Sequence, residues 1–162
     1  MRASFLVEHL NEMRNANNSL ELKSYTEYME IIPKEHQTNY NNELSLLINN
    51  YKMDNIIVGA LTFFGKYKVF DNYLAFANIE MDYLALNIDN DEIVLLDHDD
   101  TSFVMLKCAK NANSFIEVLF YYFNHTFYRI TKHNKYKVKE LFKIYELAGG
   151  GEYKKFVDFI FT

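Results

Sequence analysis

The chain has 162 residues, of which 49% are apolar, and its 17 Lys and Arg against 22 Asp and Glu give a net charge of -5. A single domain of this size buries about two-thirds of its unfolded surface, enough for a core without disulfide or metal support. Thirteen Tyr, fourteen Phe and only one Pro argue against disorder. A net acidic chain disfavours general nucleic-acid binding, which depends on neutralising phosphates. We therefore expect one domain over residues 1–162 that binds no nucleic acid.

Cysteine use and hydropathy favour a cytoplasmic protein. Cys108 is the only cysteine, which excludes an intrachain disulfide and a four-thiolate zinc site, and its apolar surroundings predict a buried thiol. The longest uncharged apolar stretch, residues 56–65, is far shorter than the roughly 20 residues that span a bilayer. Glu8 and His9 interrupt the segment where a signal peptide needs an unbroken apolar core. We expect no membrane association and no cofactor.

The amino-terminal third has helical periodicity. Apolar residues recur every three or four positions in three groups, and Pro33 separates the second group from the third. The groups are Leu6, Leu10 and Met13; Tyr25, Tyr28, Met29 and Ile32; and Leu44, Leu47, Ile48 and Tyr51. The spacing predicts helices on both sides of Pro33.

Residues 55–109 change to a strand-like pattern. Five short apolar runs are bounded by turn-forming residues: NIIVGALTF, YLAFANI, DYLALNID, EIVLLDHD and SFVMLKCA. In DYLALNID, alternation places Leu84, Leu86 and Ile88 on one face, with Tyr83 and Ala85 on the other. The short connections at residues 90–91 and 98–101 favour antiparallel neighbours, because parallel crossovers need a dozen or more residues.

Helical periodicity returns after residue 110. Ser114 and Glu117 fit a capping box that would open the next helix. A second stripe contains Val138, Leu141, Phe142 and Tyr145 and stops at the glycines of residues 149–151. A last helix places Tyr153, Phe156, Val157 and Ile160 on one face. The fold class is therefore α+β: a central, mainly antiparallel sheet of about five or six strands, flanked by N-terminal and C-terminal helices.

The negative charge is concentrated in the predicted strands. Nine acidic residues and no Lys or Arg lie between Lys68 and Lys107, which gives that window a charge of -9 and the rest of the chain +4. Acidic surfaces steer basic partners and mimic phosphate. We therefore expect a protein-binding surface formed by residues of these turns, namely Asp82, Asp89, Asp91, Glu92, Asp97, His98, Asp99 and Asp100.

The sequence gives weaker support for a metal site, an enzyme active site or a nucleic-acid-binding surface. Residues 97–100 could hold a divalent cation or position a water, yet ligands of a catalytic metal normally converge from several elements. The chain has no G-x-S-x-G, P-loop or G-x-G-x-x-G motif. A basic stretch with interleaved tyrosines, residues 129–143, could bind single-stranded nucleic acid, but a solvated helix face also explains it. We expect no metal site and no enzyme.

The order of several short motifs resembles the SUKH superfamily. Residues 64–99 and 111–123 contain Phe76-Ala77, Asp82–Asn87, Glu92–Val94, Asp97-His98 and Ser114–Leu119 in the family's order. Ala77 stands where the family usually has glycine. The resemblance covers roughly residues 40–125 and implies an α+β fold in which helices flank a mainly antiparallel sheet.

The resemblance also suggests a function. Many bacterial members look like immunity proteins, which bind and neutralise a cognate toxin, often a nuclease. The first hypothesis is therefore a cytoplasmic immunity-type binding protein. The second is an intracellular scaffold or regulatory interaction module, and the third is a small metal-dependent enzyme that uses residues 97–100.

Overall fold

The computed structural model describes residues 1–15, 31–35, 41–54, 56–132 and 140–161. Helices α1 (Ala3–Asn15) and α2 (Glu43–Asn50) precede the strands β1 (Ile57–Val58), β2 (Leu61–Phe70), β3 (Tyr73–Ile79), β4 (Asp82–Asn87), β5 (Ile93–Leu96) and β6 (Val104–Ala109). The strands are followed by α3 (Ala112–Lys132), α4 (Leu141–Ala148), a 3-10 turn (Gly151–Tyr153) and α5 (Lys154–Phe161). The predicted α+β class is confirmed.

The six strands form one sheet in chain order, and every neighbouring pair is antiparallel. The connections contain two to seven residues, too few for the crossover that parallel strands need. In such a meander, successive turns alternate between the two ends of the sheet. The β2–β3 and β4–β5 turns therefore lie at one end, and the β3–β4 and β5–β6 turns lie at the other.

One face of the sheet packs against the helices and forms the main core. Phe76 of β3 has its ring centroid 6.5 Å from that of Phe63 and 5.5 Å from that of Phe115 in α3. Phe115 in turn lies 6.2 Å from Phe156 of α5. All four side chains are fully buried. These phenylalanines join two strands to two helices, so they contribute much of the apolar burial that stabilises the fold.

The opposite face of the sheet has a second, smaller apolar cluster. Ala85 of β4 is buried there and Tyr83 packs beside it, whereas Leu84 and Leu86 face the main core. The two-residue period predicted for β4 is thereby confirmed. Ile88 follows the end of the strand and is 55% exposed. The sheet is thus apolar on both faces, and the described helices pack on one of them.

The first predicted strand is divided in the structure. The run NIIVGALTF contains the β1–β2 turn at Gly59, and β2 continues to Phe70, ten residues in all. The register between β2 and β3 shifts between Phe63 and Lys68. Gly65 lies in this bulge with φ +69°, and a Cβ there would approach Asp54 to 2.3 Å. Glycine is needed at this position both for its backbone conformation and for space.

Two helical predictions are wrong in detail. Asn111, and not Ser114, caps α3: its side-chain oxygen accepts the Ser114 N–H at 2.8 Å. Glu117 lies 3.1 Å from the amino group of Met1. In α4 the buried positions are Ile144 and Ala148, whereas Phe142 is 84% exposed. The apolar stripe of α4 is therefore rotated relative to the predicted one.

The last helix follows the prediction. Tyr153, Phe156, Val157 and Ile160 are buried together. Gly149 ends α4 with φ 128°, as predicted for the glycines there. Some predictions lie outside the described residues. These are the helix around Tyr25, Tyr28 and Met29, the position of Val138 in the α4 stripe, and much of the basic stretch at residues 129–143. Within the described part of the chain, no helix combines the length and apolarity needed to cross a membrane.

The aromatic core gives a direct stability prediction. Phe115→Ala removes a fully buried ring and should lower the free energy of unfolding by about 3–5 kcal/mol. Phe142→Ala, the same substitution at an exposed position in another helix, should change it by no more than about 0.5 kcal/mol. Urea denaturation followed by circular dichroism measures both. Equal effects would show that the Phe115 ring does not belong to the core.

Candidate functional site

Five carboxylates lie at the end of the sheet where the β3–β4 and β5–β6 turns meet. We call this group the acidic tip, and its members are Glu80, Asp82, Asp97, Asp99 and Asp100. Tyr83 pairs with Leu96 across β4 and β5, so the residues before and after them, Asp82 and Asp97, are neighbours. The antiparallel register thus brings two separate turns together.

His98 joins the two turns of the acidic tip. Its Nδ1 lies 2.9 Å from Oδ1 of Asp82, and its backbone N–H donates to the same oxygen at 3.2 Å. Its Nε2 lies 3.5 Å from Oδ1 of Asp99. The hydrogen bond to Asp82, together with the nearby charges of Asp99, Asp82 and Asp97, raises the pKa of His98 above its usual 6.5. The charge of the tip therefore changes as His98 titrates.

Short hydrogen bonds order the β5–β6 turn. Oδ1 of Asp97 accepts the N–H groups of Asp99 at 2.7 Å and Asp100 at 3.2 Å. Oδ1 of Asp100 accepts the hydroxyl of Ser102 at 2.6 Å and its N–H at 3.0 Å, and the hydroxyl contact lowers the pKa of Asp100. These side-chain to backbone bonds are typical of Asp in turns. They fix the positions of two carboxylates, while Asp99 remains 89% exposed.

Two large apolar side chains are exposed in the same turns. Met81 is 65% exposed in the β3–β4 turn, and Phe103 is 58% exposed in the β5–β6 turn. The Phe103 N–H donates to the carbonyl of Asp100 at 2.9 Å, and its carbonyl accepts the N–H of Asp97 at 3.2 Å. Phe103 is therefore held beside the carboxylates. Exposed aromatic and Met side chains within a charged rim are typical of protein-binding surfaces.

Asp89 and Asp91 lie at the opposite end of the sheet, in the β4–β5 turn. Oδ2 of Asp89 accepts the side-chain amide of Asn72 at 2.8 Å. Asp91 adopts φ 64°, and its carboxylate accepts the N–H of Ala112 at 3.4 Å and the amide of Asn42 at 3.5 Å. Ala112 is the first residue of α3, where a negative charge is favourable. Asp91 thus has a structural role in joining the sheet to two helix starts.

Glu92 also makes internal contacts. Its side chain is only 13% exposed, and Oε1 accepts the Tyr153 hydroxyl at 2.9 Å and lies 3.1 Å from Nζ of Lys107. Burial, with the Glu92 hydrogen bond as a further cause, raises the pKa of Tyr153 to about 12. Glu92 therefore fastens the 3-10 turn to the sheet.

The structure divides the predicted binding residues into two groups. It brings together Asp82, Asp97, His98, Asp99 and Asp100, and it separates them from Asp89, Asp91 and Glu92. Glu80, Met81 and Phe103 belong to this surface but were not among the predicted binding residues. The position of Met81 between two predicted strands was a signal for it, whereas Phe103 fell within the predicted strand SFVMLKCA.

The acidic tip includes a set of potential metal ligands. Ligand atoms of Asp82, Asp97 and His98 lie within 4.8 Å of one another, the one such group found among the described residues. Asp82 and His98 already share a hydrogen bond through Nδ1. A cation coordinated to both would replace the proton that joins the two turns. The contacts within the tip therefore account for this cluster without a metal.

Comparisons with protein-family models, with curated proteins and with solved structures find no match for this chain. The resemblance to the SUKH superfamily thus rests on the order of its sequence motifs. The observed α+β fold agrees with the one that the resemblance implies, but a fold of this class accommodates many functions.

Proposed function

We propose that the protein is a cytoplasmic immunity-type binding protein that neutralises a cognate toxin, such as a nuclease, by direct contact. The observation that carries this proposal is the acidic tip with exposed Met81 and Phe103 beside it. The SUKH-like motif order supports the same class of function. The proposed partner surface is a basic cleft that contains an apolar pocket.

The charges of the tip fit a partner that binds nucleic acid. A nuclease cleft is positively charged because it holds phosphates, and carboxylates placed in it can replace them. No Lys or Arg occurs between residues 69 and 106, and Lys107 of β6 pairs with Glu92 beside the other end of the sheet, so the negative potential of the tip is not cancelled by a basic residue of its own turns. Such a potential accelerates association and excludes acidic partners.

The apolar side chains supply a different contribution. Burying one large apolar side chain gives roughly 1.5–3 kcal/mol, whereas exposed charge pairs give about 0–1 kcal/mol. Phe103 is fixed to the turn by two backbone hydrogen bonds, so little backbone conformational entropy is lost when a partner covers it. We therefore assign the association rate mainly to the carboxylates and the lifetime of the complex mainly to Phe103 and Met81.

Charge reversal of Asp99 tests the electrostatic part. Asp99 is the best site because its side chain is highly exposed, while Asp97 and Asp100 hold the turn. Asp99→Lys should slow association with the cognate toxin domain by about threefold or more, and the rate should depend less on salt. Stopped-flow kinetics at two ionic strengths measures this.

The matched control for charge reversal is Glu8→Lys, which makes the same charge change at an exposed position on α1. Equal slowing by both variants would show that net charge, and not the tip, controls association. Failure of the unmodified protein to bind the toxin domain or to rescue growth would remove the proposed function for that pair.

Truncation of Phe103 tests the apolar part. Phe103→Ser should raise the dissociation rate by about tenfold or more if this ring is a central contact, with little change in association rate. Ile88→Ser is the control, because Ile88 is 55% exposed at the opposite end of the sheet. Surface plasmon resonance gives both rates. Similar dissociation rates for the two variants would place the apolar contact elsewhere.

The titration of His98 predicts a pH dependence. The hydrogen bond to Asp82 raises the pKa of His98 above 6.5. At a pH below this raised pKa the imidazole is protonated and adds a positive charge to the tip. Association should therefore quicken as pH rises from about 6 to 8 and His98 becomes neutral. In His98→Gln this component should be absent. An identical pH profile in both proteins would show that His98 does not tune the surface.

A further inference from the structure

A cleft lies beside the acidic tip. This cleft of about 410 Å³ is bounded by the β1–β2 turn, the β3–β4 turn, α3 and α5. Its volume falls within the roughly 300–1,000 Å³ of small-molecule sites. Ile79, Phe159 and Ile160 supply apolar walls. The cleft is thus large enough, and apolar enough, for a small organic ligand.

The floor of the cleft is preformed. Tyr122 is only 4% exposed, and its hydroxyl oxygen accepts the Ala60 N–H at 2.9 Å. Its own proton can therefore be donated to a group in the cleft. Gly59 adopts φ +60°, and a Cβ there would lie 2.3 Å from the Tyr122 oxygen and 3.2 Å from Oγ1 of Thr126. A side chain at residue 59 would thus collide with the groups that form the floor.

His125 is a further polar group of the cleft. It is only 3% exposed, and burial, with the charge of Arg129 as a second cause, lowers its pKa below 6.5. The imidazole is therefore neutral near pH 7. It therefore adds no charge to the cleft.

The charged side chains of the cleft have opposite signs. Glu80 and Arg129 line it, both exposed to solvent, and they are its only Asp, Glu, Lys or Arg residues among those that the structure describes. With His125 neutral, this described lining has no net charge. A phosphorylated ligand would meet a single cation and a carboxylate that repels it. A ligand with separated positive and negative groups and no net charge satisfies both side chains.

We infer that this cleft binds a free α-amino acid with an apolar side chain. Arg129 pairs with the ligand's carboxylate and Glu80 with its ammonium group. The side chain of the ligand lies against Ile79 and Phe159, above the Tyr122 hydroxyl. This inference does not rest on the proposed toxin binding, because it is drawn from a different surface, which shares only Glu80 with the acidic tip.

Titration of the full chain with L-phenylalanine tests the inference. Binding is monitored through the amide signals of residues 59 and 60 in ¹H–¹⁵N spectra. Saturable binding below about 10 mM is expected, with shifts confined to the cleft. N-acetyl-L-phenylalanine and L-phenylalanine amide represent the two ends of a peptide. Each lacks one charged group and should bind about tenfold or more weakly.

Two variants assign the contacts. Arg129→Met should bind L-phenylalanine and its amide equally, because the carboxylate no longer has a partner. Glu80→Gln should similarly bind L-phenylalanine and its N-acetyl form equally. Arg2→Met and Glu8→Gln make the same changes at exposed sites of the amino-terminal region, and they should bind like the unmodified protein.

Several results would overturn the inference. One is that L-phenylalanine shows no saturable binding. Another is that the unmodified protein binds either capped form as tightly as L-phenylalanine, and a third is that it binds adenosine monophosphate more tightly than L-phenylalanine. The comparison of capped and uncapped ligands uses the unmodified chain, so it stays decisive even if a variant folds poorly.

Discussion

Short connections determine both the topology and the surface chemistry of this protein. A turn of two to seven residues can join only antiparallel strands, so successive turns fall at alternate ends of the sheet. The nine acidic residues of the strand region are therefore divided between two ends. Acidic residues that share one segment of the sequence thus form two separate clusters. The clusters lie about 17 Å apart, the length of a six-residue strand.

The two clusters differ because of what packs against them. At the β4–β5 end, Asp91 meets the start of α3, and Glu92 meets Tyr153 and Lys107. Their carboxylates are used in joining helices to the sheet. At the acidic tip the contacts are made between the turns themselves, as between His98 and Asp82. The charge of the tip therefore remains exposed to solvent and can act on a partner.

This contrast explains which features could be predicted from the sequence. The faces of β4 follow from a two-residue period, which is visible within one short segment. The internal role of Glu92 depends on Tyr153, which is 61 residues away in sequence. Nothing in the local pattern distinguishes Glu92 from Asp97, since both flank the same strand. Strand existence and alternation are local properties, whereas the exposure of a turn depends on tertiary packing.

The helical errors have the same origin. Both Asn111 and Ser114 are good capping residues. Asn111 is the cap because α3 begins only three residues after the end of β6. In α4, Phe142 and Ile144 are equally apolar, so composition alone cannot rank them. Packing buries Ile144 and leaves Phe142 in solvent. Amphipathic periodicity identified the helix, but the face that it buries was set by its neighbours.

Glu80 connects the two proposed binding sites. It lines the cleft and belongs to the acidic tip, because it lies in the β3–β4 turn between Ile79 and Met81. An ammonium group held by Glu80 would cancel one of the five negative charges that face a basic partner. By thermodynamic linkage, any weakening of partner binding by the ligand must equal the weakening of ligand binding by the partner. Ligand binding in the cleft and partner binding at the tip would therefore be electrostatically coupled through a single carboxylate, although their apolar contacts are separate.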